Sequence, residues 1–297
     1  MAKSESSFRS VRKFGPKELA IYIGLVLWAV INLFPVYWLF TFSLKSNDEI
    51  LGDNIAGLPR TWLWSNYSTV LALGGKDSEL GFFNGGIIPG FVNSAFIAVV
   101  TVGLVLIASM MATFALTRLL WKGKKRMNSF FMLGLTIPVH VAIVPLFIIL
   151  GNLHLKSTYI ALIVPYAAFS LAMGILVCTG FMQDIPKELD EAACIDGCGA
   201  WGIFFRVIVP LMKPAVATVA IYTLLQCWNE FMFASIFISD ARHKTIPVVA
   251  QALNGAHDRD YGATGAALVL ATFPVLIFYI FFSKKIQDSF IAGAVKG

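Results

Sequence analysis

The sequence predicts an all-α membrane protein with six transmembrane helices. Hydrophobic residues make up 58% of the chain and the mean hydropathy is +0.76, whereas charged residues make up only 13%. Soluble domains carry about 25% charged residues, so water would not cover an apolar surface of this extent. Helices satisfy their own backbone hydrogen bonds in lipid, and 297 residues accommodate about six spans of roughly 20 residues each with their connections.

Apolar segments of suitable length alternate along the chain with polar and turn-forming residues. Pro35 interrupts the first segment, and Pro138 and Pro145 interrupt the third. Membrane helices tolerate proline when neighbouring groups satisfy the freed carbonyl, so we expect these segments to cross the bilayer. The predicted spans are 19–44, 91–116, 127–150, 158–182, 215–238 and 266–282.

The spans divide the chain into an N-terminal tail, 1–18, a first helix, 19–44, a long polar connection, 45–88, a core, 89–283, and a C-terminal tail, 284–297. The polar, basic start of the chain predicts no cleavable signal peptide. In the long connection, Trp62, Trp64 and Tyr67 are expected in the lipid headgroup layer.

Lys and Arg are distributed unevenly between the two sides that six spans define. Of the 23 basic residues, 16 lie in the two tails, in segment 118–126 or in segment 187–213, and seven lie in the alternating connections. Cytoplasmic segments carry the excess of Lys and Arg, so both termini and segment 183–213 are predicted to be cytoplasmic. This distribution accounts for the net charge of +6 without a nucleic-acid partner.

The four cysteines are Cys178, Cys194, Cys198 and Cys227. Cys194 and Cys198 are four residues apart, but Gly197 between them is expected to end the helix, and no second Cys pair or nearby His completes a metal site. We therefore expect free, buried thiols and neither a metal site nor a disulfide framework.

The segment 185–214, between the fourth and fifth spans, has the chemistry of a helix–turn–helix. Asp184 at the N-cap and Pro186 in the first turn predict a helix over 187–195. Gly197 suits the left-handed geometry that ends a helix. A second short helix is predicted to present an exposed apolar face, which requires a partner, formed by Trp201, Phe204, Phe205 and Ile208.

The letters EAA at 191–193, followed by Asp196-Gly197 and an apolar run to Pro210, resemble the EAA loop of the permease subunits of bacterial binding-protein-dependent ABC importers. Asn93-Ser94 and the segment ATFALTR at 112–118 resemble the opening of the family's conserved core. The segment LGNLHLKSTYIALIVPY at 150–166 and the end of the chain, 292–297, resemble its carbohydrate-uptake branch. The resemblance covers about residues 93–297 and implies a type I ABC importer permease fold with 183–213 as its cytoplasmic coupling loop. An ordinary interfacial helix pair is the alternative interpretation of this loop.

The resemblance also implies partners and residue roles. Glu191 would pair with a basic residue of an ATPase subunit, unless it is a solvated carboxylate on a helix face, and Gly197 would make the turn. The residues expected to contact the ATPase are Glu191, Ala192, Ala193, Asp196, Gly197, Trp201, Phe204 and Phe205. The sequence has no Walker A segment, so ATP and Mg²⁺ are expected in a partner ATPase, and no cofactor is expected in this chain.

The implied assembly lies in the bacterial inner membrane, where this multi-pass chain would pair with a second permease subunit in a heterodimer. Two ATPase subunits would bind on the cytoplasmic side and a periplasmic solute-binding protein outside. The connection 239–265 would meet that binding protein, with a plain connecting loop as the alternative.

The predicted fifth span contains the carboxylate Glu230, which lipid disfavours unless it faces a cavity or a partner. Gln226 is four residues earlier on the same helix face, and Trp228 and Asn229 are adjacent. Amide, carboxylate and aromatic groups suit sugar hydroxyls and ring faces, so these four residues are candidates for the translocation path. A structural role between helices or at the partner permease is the competing interpretation, and the resemblance of this stretch to a common family pattern favours it.

Two alternative functions remain open from the sequence. A stand-alone secondary transporter or an intramembrane enzyme would require several intramembrane carboxylates, inverted repeats or paired catalytic groups, and we detect none of these. Within the importer interpretation, an acidic sugar or a sugar-phosphate-like solute is the alternative to a neutral oligosaccharide. His140, in the third span, is interpreted as a histidine satisfied within the helix bundle.

Overall fold

The computed structural model describes residues 15–72, 86–252 and 260–294, with side chains up to Phe281. Most of the predicted N-terminal tail, part of the long connection, residues 253–259 of the connection 239–265 and the last three residues lie outside the described residues. All regular elements in the described part of the chain are helical.

Four of the described helices are long and apolar enough to cross a membrane. They are α1 (Pro16–Phe42), α4 (Ile87–Thr117), α7 (Ile160–Gln183) and the apolar part, Tyr261–Phe281, of α14 (Tyr261–Ala294). These helices coincide with the predicted first, second, fourth and sixth spans, with ends that differ by a few residues. The last of them begins five residues before the predicted start, so the connection before it is correspondingly shorter.

The third predicted span is not one helix. It consists of α5 (Lys124–Leu133), a 3₁₀ turn (Val139–Ala142) and α6 (Ile143–Asn152). Pro138 lacks a backbone N–H and disfavours helical geometry in the residue before it, so helical bonding stops between Gly134 and Pro138. The segment predicted as the third span, 127–150, is therefore divided near the first of its two prolines. His140 lies exposed in the 3₁₀ turn and not in a buried position.

The fifth predicted span is also divided. It consists of α11 (Lys213–Asn229) and α12 (Met232–Phe237), separated at Glu230 and Phe231. A further short helix, α13 (Ile246–Ala252), follows a 3₁₀ turn at Ala241–His243 and leads towards α14. The break in the fifth span replaces the predicted uninterrupted helix over 215–238.

The core forms where α4, α7 and α11 pack together. Small residues bring α4 and α7 close, since a Cβ on Gly174 would lie 3.0 Å from the Cβ of Ser109. Cys178 and Cys227 are buried here as free thiols, as expected, whereas Cys194 is exposed and Cys198 is half-buried. The expectation of burial was thus wrong for Cys194, because α8 buries the neighbouring Ala193 and leaves Cys194 on its exposed side.

The first helix and the connection after it lie at the edge of this core. None of the most apolar window of α1 is buried within the chain, and the helix packs mainly on α14. The connection contains α2 (Asn47–Leu51) and α3 (Ser65–Ala72), and it is held by the buried Lys45, whose Nζ donates to the carbonyl of Asn54 at 2.6 Å. Trp62 and Trp64 are exposed, as their predicted place in the headgroup layer requires, whereas the Tyr67 hydroxyl bonds the Ser43 side chain at 2.7 Å.

Candidate functional site

The first helix of the predicted coupling loop, α8, spans Glu188–Ile195. Asp184 was predicted to be the N-cap of α8, and this prediction was wrong. Helix α7 continues to Gln183, and Asp184 is its C-cap. Pro186 accordingly precedes α8 and does not lie in its first turn. The first turn of α8 carries Glu188, Asp190 and Glu191, which interact favourably with the positive end of the helix dipole.

The turn after α8 has the geometry that the sequence predicts. Gly197 adopts φ +82°, and the N–H of Cys198 donates to the carbonyl of Ala193 at 2.9 Å. These are features of a left-handed helix C-cap, in which the carbonyls left free at the helix end find donors. No atom lies within 4 Å of a Cβ built on Gly197, so the backbone conformation and not steric space selects glycine.

The second helix of the loop runs over Ala200–Leu211 and meets α11 at an angle of 75°. It comprises α9 (Ala200–Gly202), a π-helical turn (Ile203–Ile208) and α10 (Val209–Leu211). Pro210 cannot donate to the carbonyl of Arg206 four residues earlier, which is consistent with the wider π turn at this place.

The aromatic face predicted on this helix divides into an exposed and a buried part. Trp201 and Phe205 are 63% and 60% exposed, and their rings stack with centroids 5.9 Å apart. Phe204 and Ile208 are 4% and 0% exposed and pack in the core against α4 and α7. Phe204 therefore cannot lie on the exposed contact surface that the sequence predicts, because its ring is packed 5.2 Å from that of Phe114.

The remaining predicted contact residues lie mostly at the surface. Glu191, Ala192, Asp196 and Gly197 are exposed, whereas Ala193 is buried beneath α8. Exposed apolar side chains accompany them, and Ile195 is 88% exposed. We call the exposed side chains of this segment the coupling surface: Leu189, Glu191, Ile195, Asp196, Trp201 and Phe205.

An ion pair anchors the coupling loop to the end of α4. The Arg118 guanidinium lies 3.1 Å from the Asp190 carboxylate, and these side chains are only 6% and 18% exposed. The same guanidinium donates to the carbonyls of Met182 at 3.1 Å and Ile185 at 2.6 Å. Sequence reasoning assigned Arg118 only a topological role, since a pair between residues this far apart in the chain has no local signal.

Glu230 lies at the break between α11 and α12, and its carboxylate is fully engaged. It accepts hydrogen bonds from the N–H groups of Phe233 at 2.7 Å and Ala234 at 3.2 Å, and from the Tyr166 hydroxyl. The carboxylate thus caps α12 in the manner of an N-cap residue, and these donors offset the cost of placing a charge at membrane depth. Sequence reasoning did not identify Tyr166, which α7 contributes.

The four translocation-path candidates divide between two cavities. Gln226 and Glu230 share a cavity of about 150 Å³ with Tyr166 and Tyr222, as their shared helix face predicts. Trp228 and Asn229 line another, of about 330 Å³, with Phe231 and residues of α13 and α14. The Trp228 indole donates to the carbonyl of Ala271 at 3.1 Å and is 7% exposed, so this side chain chiefly joins α11 to α14.

The described part of the connection 239–265 is held against α4 by Asn93 and Ser94, near the start of that helix. The Asn93 amide donates to the carbonyls of Arg242 and Lys244, each at 2.9 Å, and the Ser94 hydroxyl accepts the N–H of Ile246. Beside them, hydrogen bonds from Arg242 hold the pKa of the Asp240 carboxyl well below its usual range. Residues 253–259 of the connection predicted to meet a binding protein, including Asp258 and Arg259, lie outside the described residues.

Comparison with known proteins gives one consistent result. Residues 104–291 match the family described as binding-protein-dependent transport system inner membrane component. A putative ABC transporter permease of Caldicellulosiruptor sp. is 37% identical over 93% of this chain and 96% of its own length. The diacetylchitobiose uptake system permease of Streptomyces coelicolor is 34% identical over 92% of this chain and 87% of its own length. The trehalose/maltose transport system permease of Thermococcus litoralis is 33% identical over 95% of this chain and 98% of its own length.

Solved structures show the same fold. A chain of a bacterial ABC transporter that imports the acidic polysaccharide alginate superposes with a TM-score of 0.76, covering 91% of this chain and 98% of its own, at 20% identity. A chain of a bacterial alginate ABC transporter in complex with an alginate pentasaccharide-bound periplasmic protein superposes with a TM-score of 0.62, covering 90% and 94%, at 16% identity.

Proposed function

The chain belongs to the family of binding-protein-dependent transport system inner membrane components, and we propose that it forms one half of the pathway by which an ABC importer admits an oligosaccharide. The observation that carries this proposal is the coupling loop, whose exposed apolar surface is anchored to a core helix in a chain of this family. A surface of that kind beside a membrane requires a protein partner.

We propose six crossings, two of them broken. The third crossing would run through α5, its 3₁₀ turn and α6, and the fifth through α11 and α12. Breaks in membrane helices are tolerated where the protein satisfies the freed groups, as Glu230 does for α12. With six crossings both termini share one side, and the excess of Lys and Arg favours the cytoplasm for that side.

The coupling surface would fit a cleft in an ATPase subunit, with Glu191 opposite a basic residue and the stacked pair Trp201 and Phe205 inserted between apolar side chains. A second permease would present a similar loop to a second ATPase. ATP and Mg²⁺ would be held by these partner ATPases. Closure of the ATPase dimer would then move the two loops together and bias the spans between an inward-open and an outward-open arrangement.

The ion pair of Arg118 and Asp190 gives that movement a route into the core. Arg118 ends α4, the helix that packs most extensively on α7, and it contacts both the end of α7 and the first turn of α8. A displacement of α8 would therefore pull on α4 and α7 together.

A neutral oligosaccharide is the substrate that the cavities support best. Neither of the two cavities at the end of α11 is lined by Lys or Arg, and their exposed polar groups include the amides of Gln226 and Asn229. Glu230 serves as a structural carboxylate, because three donors from the chain occupy it. The related permeases of the diacetylchitobiose and trehalose/maltose systems support a sugar substrate. The likeness to the alginate importer concerns the fold, so an acidic sugar remains the second candidate.

The outer loop, 239–252 and onward to α14, would face the periplasm and meet a solute-binding protein. The bonds from Asn93 and Ser94 hold its first part rigidly against α4, so that docking of the binding protein would act directly on a core helix.

Affinity purification of the tagged chain from native membranes tests this assignment. We expect a second permease and an ATPase to purify with it. Replacement of both Trp201 and Phe205 by Ala should remove the ATPase and leave the second permease bound. A chain that purifies alone and still transports sugar would contradict the importer assignment and favour a stand-alone transporter.

A further inference from the structure

A cavity of about 620 Å³ opens where the ends of α4 and α7, the start of α5 and the start of the coupling loop meet. This cavity is separate from the coupling surface and from the two cavities at the end of α11. Its wall carries hydrophobic side chains of α4 and α7, including Leu116 and Met182, beside a polar part. The residues of that polar part that carry donor groups are Thr117, Arg118, Lys124, Lys125, Asn128, Thr179, Gln183 and Lys187.

Positive charge dominates the cavity. Four of the lining residues are basic, and Glu188 is the one acidic residue on the wall. None of its three lysines forms an ion pair with a residue in the described part of the chain, while Asp190 is already engaged with Arg118. Helix α5 begins at Lys124, so the positive end of its dipole adds to this field. An anion is therefore the ligand that the wall favours.

Buried polar atoms of Arg118, Thr179 and Asp190 have no hydrogen-bond partner among the described residues. The Oδ1 of Asp190 belongs to the carboxylate paired with Arg118, and Asp190 does not line the cavity. The two atoms at the wall are the Nε–H of Arg118, whose side chain is 6% exposed, and the hydroxyl of Thr179. Buried polar atoms of proteins are nearly always bonded, so these two mark a place where a group outside the chain completes the site. Both can donate, and a phosphate oxygen is an acceptor that suits a guanidinium N–H.

We propose that this cavity binds a phosphate-bearing anion, with Arg118, Thr179 and the lysines of α5 as its donors. An anionic phospholipid headgroup is the source that its surroundings favour, because the cavity lies at the ends of membrane helices and has an apolar side. Free phosphate offers the same chemistry. The site does not depend on which sugar the importer carries.

The site has a consequence for transport. The guanidinium that would meet the phosphate also holds Asp190 and the carbonyls of Met182 and Ile185. An anion bound to its Nε–H would fix the orientation of Arg118 and thereby the docking of α8 on α4. Occupancy of the cavity should therefore raise the number of sugar molecules transported per ATP hydrolysed.

The test uses the intact importer in lipid nanodiscs. Binding of labelled phosphatidylglycerol is measured in discs of phosphatidylcholine, and binding of radiolabelled inorganic phosphate is measured in the same discs without phosphatidylglycerol. Replacing Lys124 and Lys125 by Gln should weaken binding of the true ligand by about 25-fold, since each lysine near a charged headgroup contributes about fivefold. The matched control replaces Lys122 and Arg126 by Gln, which removes the same charge from the same segment but not from the cavity wall.

An uncharged change separates a site from general surface attraction. Thr179→Val preserves shape and charge and should weaken binding of the same ligand by about tenfold, through loss of one hydrogen bond to a charged group. Saturable binding of inorganic phosphate with the same sensitivity would support the site and identify free phosphate as the source. Equal affinities in the Lys124/Lys125 and Lys122/Arg126 variants, with no effect of Thr179→Val, would overturn the proposal.

Discussion

The replacement Asp190→Asn tests how the coupling loop is held to the membrane core. The change preserves the shape of the side chain but leaves the Arg118 guanidinium, which is 6% exposed, without its counter-charge. Breaking a buried ion pair by removal of one partner costs about 3–5 kcal/mol. Asp190 is 18% exposed and Arg118 retains two carbonyl acceptors, so we expect a smaller loss, of about 2–3 kcal/mol, in the docking of α8 on α4.

Such a loss shifts the docked-to-undocked ratio by about 30- to 150-fold. Two measurements report it. The first is the number of sugar molecules taken up per ATP hydrolysed in proteoliposomes, which should fall while basal ATP hydrolysis continues. The second is maleimide labelling of the half-buried Cys198 in a Cys194→Ser background, which should become faster as the loop undocks.

The control is Asp48→Asn, which removes an exposed carboxylate of α2, away from the coupling surface, that forms no ion pair within the described residues. A double-mutant cycle with Arg118→Met isolates the pair from other effects of each change. If Asp190→Asn changes neither the transport ratio nor Cys198 labelling, or if the two changes are simply additive, the anchoring role assigned to this pair is incorrect.

Replacements at three other places test the coupling surface, the turn after α8 and the cap of α12. Trp201→Ala should weaken ATPase binding by about 2 kcal/mol or more, as for a central interface aromatic, without altering thermal unfolding of the chain. Phe204→Ala, in contrast, should lower the free energy of unfolding by about 3–5 kcal/mol. Gly197→Val should uncouple ATP hydrolysis from uptake by straining the left-handed turn by about 1–2 kcal/mol, whereas Gly199→Val should not. Glu230→Gln should leave one of three donors unsatisfied and lower thermal stability by about 1–3 kcal/mol, without changing the KM for sugar.

The outcomes that contradict these expectations are distinct. Trp62→Ala, on the exposed connection, is the control for the first change, and an equal loss of ATPase binding there would show that the effect is not local. Normal coupling in a well-expressed Gly197→Val variant would remove the turn from the mechanism. A large rise in KM for Glu230→Gln at unchanged stability would assign that carboxylate to the substrate.

The parts of the fold that hydropathy predicts are those where one apolar helix runs without interruption. The helices at 16–42, 87–117, 160–183 and 261–281 coincide with their predicted spans to within a few residues at each end. The division of the third span was missed because the apolar residues run on through Gly134–Pro138, where the α-helix stops. At Glu230 the sequence does not show that the carboxylate caps α12 through the N–H groups of Phe233 and Ala234, and the contact from Tyr166 depends on tertiary structure.

The candidate site was predictable in its local chemistry and not in its packing. Gly197 could be placed in a left-handed turn because that conformation is local. The division between Phe204 and Phe205 depends on which side of the π-helical segment faces α4, and a sequence pattern does not show this. The pairing of Arg118 with Asp190 joins distant parts of the chain, so the charge of Arg118 alone suggested only topology.

The most direct test of the account is sugar uptake by purified components in proteoliposomes. The chain is reconstituted with its partner permease, ATPase and binding protein, and uptake of a labelled neutral oligosaccharide is measured with and without ATP. We predict uptake only when ATP, the ATPase and the binding protein are all present. We also predict that this uptake is lost when Trp201 and Phe205 are replaced by Ala. Accumulation of sugar by the chain alone, driven by an ion gradient and unaffected by those replacements, would contradict it.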